Sequence, residues 1–294
     1  MKTIGKFPIE VFCHDYEDRS DAARLDRQQQ YCRYIKGTCV KPRKSEPDRK
    51  VGICTLGATV NHGRQLHPVM ICPQRLKEES MFEAIRQNYL RQWSNVKWVK
   101  EVNIGVGGSV DYVAVEVDDN DVVTNFLCVE LQAAGTTGTP YQYVEELRQL
   151  GHYTNARKRQ FGINWANEFS KTMMQQAYKK GKIMESWGRK IVFVLQDLAM
   201  QYLKGATDCS LLTNYNPQSP VDFCTFALQW DNANGWHMVF DEISSTTIDG
   251  ISLMLGGASV SSYPTVDEFI VNIVRKGIAD GVLENNRYTK AFLQ

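Results

Sequence analysis

The chain has 294 residues and a mass of 33.5 kDa, room for one large domain or a catalytic domain with a smaller appendage. Its 43% hydrophobic and 23% charged residues exclude a disordered or collagen-like chain, and no run of about eighteen apolar residues offers a membrane span. A net charge of +1 neither requires nor forbids a nucleic-acid partner, because a local basic surface can coexist with a neutral total.

The stretch Met1 to Pro8 has a basic start with no apolar run behind it. No secretory signal is expected, and the expected location is the cytosol. Residues 1–76 read as irregular, polar and poor in apolar periodicity. Five of the eight cysteines fall here: Cys13, Cys32, Cys39, Cys54 and Cys72. In a reducing compartment, clustered cysteines point to metal more often than to disulfides. From Cys32 onward the intervals are six, fourteen and seventeen residues. They match no paired zinc knuckle, so unrelated buried thiols are an equal reading. Cys128, Cys209 and Cys224 stand singly, as small hydrophobes do. Lys41-Pro42-Arg43-Lys44 and Arg49-Lys50 make the segment locally basic.

Apolar spacing at Met81, Phe82, Ile85, Tyr89 and Trp93 predicts an amphipathic helix. Val110 to Val117 and Asn125 to Gln132 read as strands. A Gly- and Thr-rich loop from Gly135 to Pro140 leads into a helix from Tyr141 to about Leu150. A further helix covers Ile163 to Tyr178, ending on Lys179-Lys180-Gly181-Lys182, where cations suit the helix dipole. Lys190 to Gln196 is a strand. Phe223 to Trp230 and Trp236 to Ile243 are two more, around a polar turn. The last helix opens at Thr265, with Glu268 completing a capping box. Interleaved strands and helices give an α/β or α+β class with a mixed sheet.

The most suggestive chemistry lies at Asp111, which opens one strand, and at Glu130-Leu131-Gln132 within the next. Alternation puts Glu130 and Gln132 on one face, and the Leu131 carbonyl can turn toward the same point. Two carboxylates and a main-chain carbonyl make a hard oxygen site suited to Mg²⁺. The bland alternative is a pair of strand-end acids facing solvent. The five histidines show no catalytic-zinc spacing, although His62 and His67 sit in the cysteine-rich segment as stand-in ligands. Arg157-Lys158-Arg159 and the Lys179 to Lys182 group are phosphate contacts or ordinary solvated loops.

These residues resemble a family. Thr38-Cys39-Val40-Lys41, Val51-Gly52-Ile53-Cys54 and Val69-Met70-Ile71-Cys72-Pro73-Gln74-Arg75 are similar to the N-terminal metal-binding segment of NotI-type restriction endonucleases. Asp111 with Glu130-Leu131-Gln132 resembles that family's variant of the PD-(D/E)XK nuclease core, with glutamine in place of the usual lysine. Phe169-Ser170-Lys171-Thr172 and Gln176-Ala177-Tyr178-Lys179 are similar to a helix after the active strands. The resemblance runs from about residue 32 to 180.

It implies a structural metal, one iron or zinc per chain, on Cys32, Cys39, Cys54 and Cys72, with Cys13 outside. It implies a nuclease centre of Asp111, Glu130 and Gln132, with Glu101 as the upstream glutamate and Val110 where the motif's proline would stand. Gln132 can only hydrogen-bond the attacking water, so charge stabilisation is expected to come from Mg²⁺. The implied protein is a bacterial cytoplasmic type II restriction endonuclease, a homodimer acting on double-stranded DNA. Residues 1–80 would be the metal-binding module and 81–294 the nuclease domain. Its rivals are a low-specificity repair or defence nuclease and a non-catalytic, metal-stapled DNA-binding protein.

Overall fold

The structure, a computed structural model, describes residues 2, 4–43, 46–60, 63–154, 158, 160–256, 266–280 and 283–286. Lys44, His62, Arg157, Arg159 and the Thr265 cap lie outside the described residues.

The amino-terminal quarter is more ordered than its composition suggests. β1 (Pro8–Val11), β2 (His14–Asp15), β3 (Ile53–Thr59) and β4 (Leu66–Met70) form a four-stranded antiparallel sheet in the order β2-β1-β3-β4. Phe12 and Cys13 make the tight β1–β2 turn with both φ angles positive. Helix α1 (Asp21–Gln29) is capped by the Ser20 side chain, which accepts from the Ala23 N–H, and ends at a left-handed Gln30. β3 hides its pattern because six of its seven residues are buried, and a strand covered on both faces shows no alternation. Gly57 in β3 is required: a Cβ there would fall 1.7 Å from the Gly5 carbonyl oxygen.

The centre of the molecule is a seven-stranded mixed sheet. After α2 (Glu79–Tyr89), β5 (Val96–Asn103), β6 (Ser109–Val117) and β7 (Val123–Gln132) run as an antiparallel meander. Helix α3 (Tyr141–Leu150), a π-helical run Ala166–Met173 and α4 (Met174–Trp187) then cross over to β8 (Ile191–Gln196), parallel to β7. Helix α5 (Asp197–Ala206) and the two-residue edge strand β9 (Thr213–Asn214) follow. β10 (Val221–Asp231) is parallel to β8 and pairs with β11 (Gly235–Thr246) as a hairpin, before α6 (Ile248–Met254). The order across the sheet is β9-β11-β10-β8-β7-β6-β5. The class is mixed α/β, as the interleaved elements imply.

Alternation divides the core into two layers. Val113, Val115, Cys128 and Phe193 face α3, α4 and α6; Tyr112, Ala114, Val129 and Val194 face α2. The expected helix end at Tyr178 is corrected to Trp187, so Lys179 to Lys182 lie within α4.

The chain divides once, into Met1–Leu255 and Gly256–Gln294. In the second unit the described residues form one helix, α7 (Val266–Ala279). No division falls at residue 80, because the amino-terminal sheet shares its core with the main sheet. Val11, Phe12, Ile53 and Leu56 belong to the same buried cluster as Phe193 and Phe223. Gln196, at the end of β8, grips β4 by accepting from the Met70 N–H at 2.8 Å and donating to the Pro68 carbonyl at 2.6 Å.

Arg75 completes the seam. Fully buried, it donates to Glu10 at 2.9 Å, to Glu78 at 2.6 Å and to the Trp236 carbonyl at 3.0 Å. Removing one partner of such a pair strands a buried charge. Arg75→Met is therefore expected to cost about 3–5 kcal/mol, read as a lower urea midpoint in one cooperative transition. Two separate transitions would show that the amino-terminal quarter folds by itself.

Candidate active site and thiol cavity

The β6–β7 ladder pairs Tyr112 with Val129, and its register sets Asp111 opposite Glu130. There a side chain extends the ladder: Asp111 Oδ2 accepts from the Leu131 N–H at 2.8 Å. A strand residue turns its N–H and C=O toward the same neighbour, so the Leu131 carbonyl also opens on the Asp111 side. Glu130 and Gln132 share the α4 face with Cys128. The structure thus brings Asp111, Glu130, Leu131 and Gln132 to one end of the β6–β7 pair. Gln132 is half-buried, its Nε2 donating to the Ala133 carbonyl at 3.1 Å.

Lys180 does not stand out in the sequence from the basic run Lys179 to Lys182. It is 3% exposed and Glu130 is 8% exposed, and Lys180 Nζ donates to Glu130 Oε1 at 2.6 Å and to the Ser109 carbonyl at 2.8 Å. Burial pushes the Glu130 carboxyl above its ordinary value against the opposing hydrogen bond and charge of Lys180, and Asp111 adds to the rise. Glu130 Oε2 is buried with no hydrogen-bond partner. A carboxylate oxygen left open beside a second carboxylate suits a hard cation.

Gly181 explains how a lysine reaches this point. A Cβ there would lie 2.6 Å from Val221 Cγ2 and 2.8 Å from Ile248 Cδ1, so only glycine lets α4 press onto the sheet beside Lys180. In the sequence Lys180 falls in a basic run at the expected helix end, beside Lys179 and Lys182, which are exposed. In an exposed helix Gly→Ala stabilises by about 1 kcal/mol. Here overpacking of about 1–3 kcal/mol outweighs that gain. Gly181→Ala is expected to lower the thermal midpoint; a rise would mean the contact is slack.

Glu101 sits on the strand beside Asp111. It lies on β5, exposed and with a φ of 54°, between Lys100 and Val102, which pair with Tyr112 and Val110. The register places it across from Asp111, and the described residues show no hydrogen bond from it to either acid.

The five early cysteines are all buried, and all line one cavity of about 20 Å³. Cys13, which the resemblance leaves outside, is among them: its Sγ lies 3.7 Å from that of Cys32. Sulfurs of a tetrahedral thiolate site with bonds of about 2.3 Å are about 3.8 Å apart. The hydrogen bond to Cys13, together with burial, holds the Cys32 thiol well above its ordinary value. Among the described residues, no three His, Cys, Asp or Glu side chains converge closely enough to hold a metal ion. The thiols supply the donor chemistry of a zinc or iron site around a common void, with Cys13 and Cys32 at the sulfur spacing of such a site. His67 lies on β4 and is not part of the cavity lining.

No protein-family model matches the chain, and no curated protein matches it.

Proposed function

We propose that this chain is a Mg²⁺-dependent nuclease of the type II restriction kind, hydrolysing both strands of a short DNA sequence as a homodimer. The observation that carries the reading is Asp111 set across from Glu130, with the buried Lys180 on the glutamate. An acid opening one strand, Glu-x-Gln on its antiparallel neighbour and a helical crossover to a parallel strand support a PD-(D/E)XK-type core.

Asp111, Glu130 and the Leu131 carbonyl are the groups that would hold Mg²⁺, an ion that when bound polarises the scissile phosphodiester and acidifies a water. Lys180 fixes the Glu130 carboxylate and leaves Oε2 open to that point. It also places a positive charge where the motif's lysine is missing from the strand. On this reading Lys180 shares with the metal the stabilisation of developing charge. Gln132 stays in reach of a water through its amide.

Plasmid incubated with Mg²⁺ separates the readings: discrete bands for a restriction enzyme, a smear for a low-specificity nuclease, intact DNA for a binding protein. Intact DNA across several substrates would overturn the proposal.

The cysteine cavity supports a structural metal, with five thiols around four places. Purified protein is expected to carry about one zinc or iron per chain, retained through mild Mg²⁺ chelation. Of the five single serine variants, one should keep the metal and four lose it; the resemblance makes Cys13→Ser the one that keeps it. Two or more variants with full metal would dismiss the site.

A further inference from the structure

A cleft of about 580 Å³, outside the sites above, lies between α1 and α3, and arginines line it. Arg24 and Arg27 come from α1, Arg19 from just before its cap, Arg49 from the strand Glu46–Lys50, and Arg148 from α3. Glu145 is the one carboxylate of the lining. Three chain segments distant in sequence therefore deliver five guanidinium groups to one open cleft, in a protein whose net charge is only +1.

The cleft is built to keep part of this charge free. Arg27 is 5% exposed and gives its two Nη groups to the Asp18 and Asp15 carbonyls at 2.7 and 2.6 Å, while its Nε is buried with no partner. Arg19 donates to the Tyr16 carbonyl. Neither meets a carboxylate through these bonds. Glu145 and Glu46 each pair with Arg49 at 2.9 Å, Glu145 reaches Arg148 at 3.5 Å, and Arg24 pairs with Asp21, but all three arginines stay solvent-accessible. Exposed pairs of this kind are weak and open to exchange. The planar guanidinium fork matches phosphate oxygens two at a time.

We propose that this cleft binds the phosphodiester backbone of duplex DNA away from the nuclease centre. The proposal rests on the nuclease reading for the identity of its partner. The cleft positions DNA by charge and carries no base readout.

The test is fluorescence-anisotropy titration of a generic duplex over a range of salt, in EDTA, followed by Mg²⁺ addition to the same samples. One variant is Arg19→Gln, Arg24→Gln, Arg148→Gln. A control, Arg86→Gln, Lys204→Gln, Lys276→Gln, removes three exposed charges elsewhere. Each lost phosphate contact lowers the slope of log K against log salt by about 0.9. The cleft variant should lose a slope of about 2–3 and bind at least about tenfold more weakly at low salt, with the control near wild type. Equal slopes in the two variants would overturn the cleft while Mg²⁺-dependent cutting still stands. A lost slope without cutting by the wild type would keep the cleft and remove the nuclease reading. Poly-glutamate competing as well as DNA, charge for charge, would overturn the backbone assignment. So would a wild-type protein that binds no duplex.

Discussion

Glu130→Gln is expected to leave duplex binding intact and to lower Mg²⁺-dependent cleavage by about 10³-fold or more, the equivalent of about 4 kcal/mol at the transition state. The change keeps the shape of the side chain and removes the charge that would hold the cation. It also strands Lys180, so loss of activity must be separated from loss of structure. The pair Glu130→Gln, Lys180→Met supplies that separation: both buried charges go together, which can be neutral for stability. The double variant should recover most of the urea midpoint lost by Glu130→Gln and none of the cleavage. Asp111→Asn, at a half-buried position with no lysine on it, should be similarly inactive while folding normally. Cleavage by either variant at near wild-type rate would remove the site.

Lys180→Met is expected to cost about 3–5 kcal/mol of stability at neutral pH. Glu130 then keeps its burial and its neighbour Asp111 and loses the main group holding its carboxyl down. The sign of the pH dependence follows. A carboxyl raised above its unfolded value favours the folded state when protonated, so that stability is present on the acid side and fades as pH rises through the raised value. Urea midpoints of the variant should fall between acid and neutral pH more steeply than those of the wild type. A parallel pair of curves would show that Lys180 and Glu130 are not coupled.

Much of the site was legible. Asp111 and Glu130-Leu131-Gln132 sit on the adjacent strands expected of them, within two residues at each end. The hairpin around Asp231 to Gly235 and the helix from Tyr141 to Leu150 follow their periodicity closely. The failures have physical causes. β5 was missed because it is an edge strand with exposed residues at most positions, so burial never imprinted an alternation. β3 was missed for the opposite reason, being covered on both faces. α1 buries only Ala23 and Arg27, too little for an apolar stripe. Lys180 was lost because a buried charge looks like a solvated one until its partner, fifty residues away, is brought beside it.

The two borders of the main sheet limit how a second copy of the chain can join it. One border is β9, only two residues long. The other is β5, which presents Lys97 and Lys100 and is broken at Glu101 by a positive φ. Short, charged or kinked borders discourage the addition of a further strand. A two-fold partner has little to gain from continuing the sheet, and helices or loops remain as the surface for it. Growth of this sheet from chain to chain, the first step toward fibrous association, is blocked at both ends by the same devices.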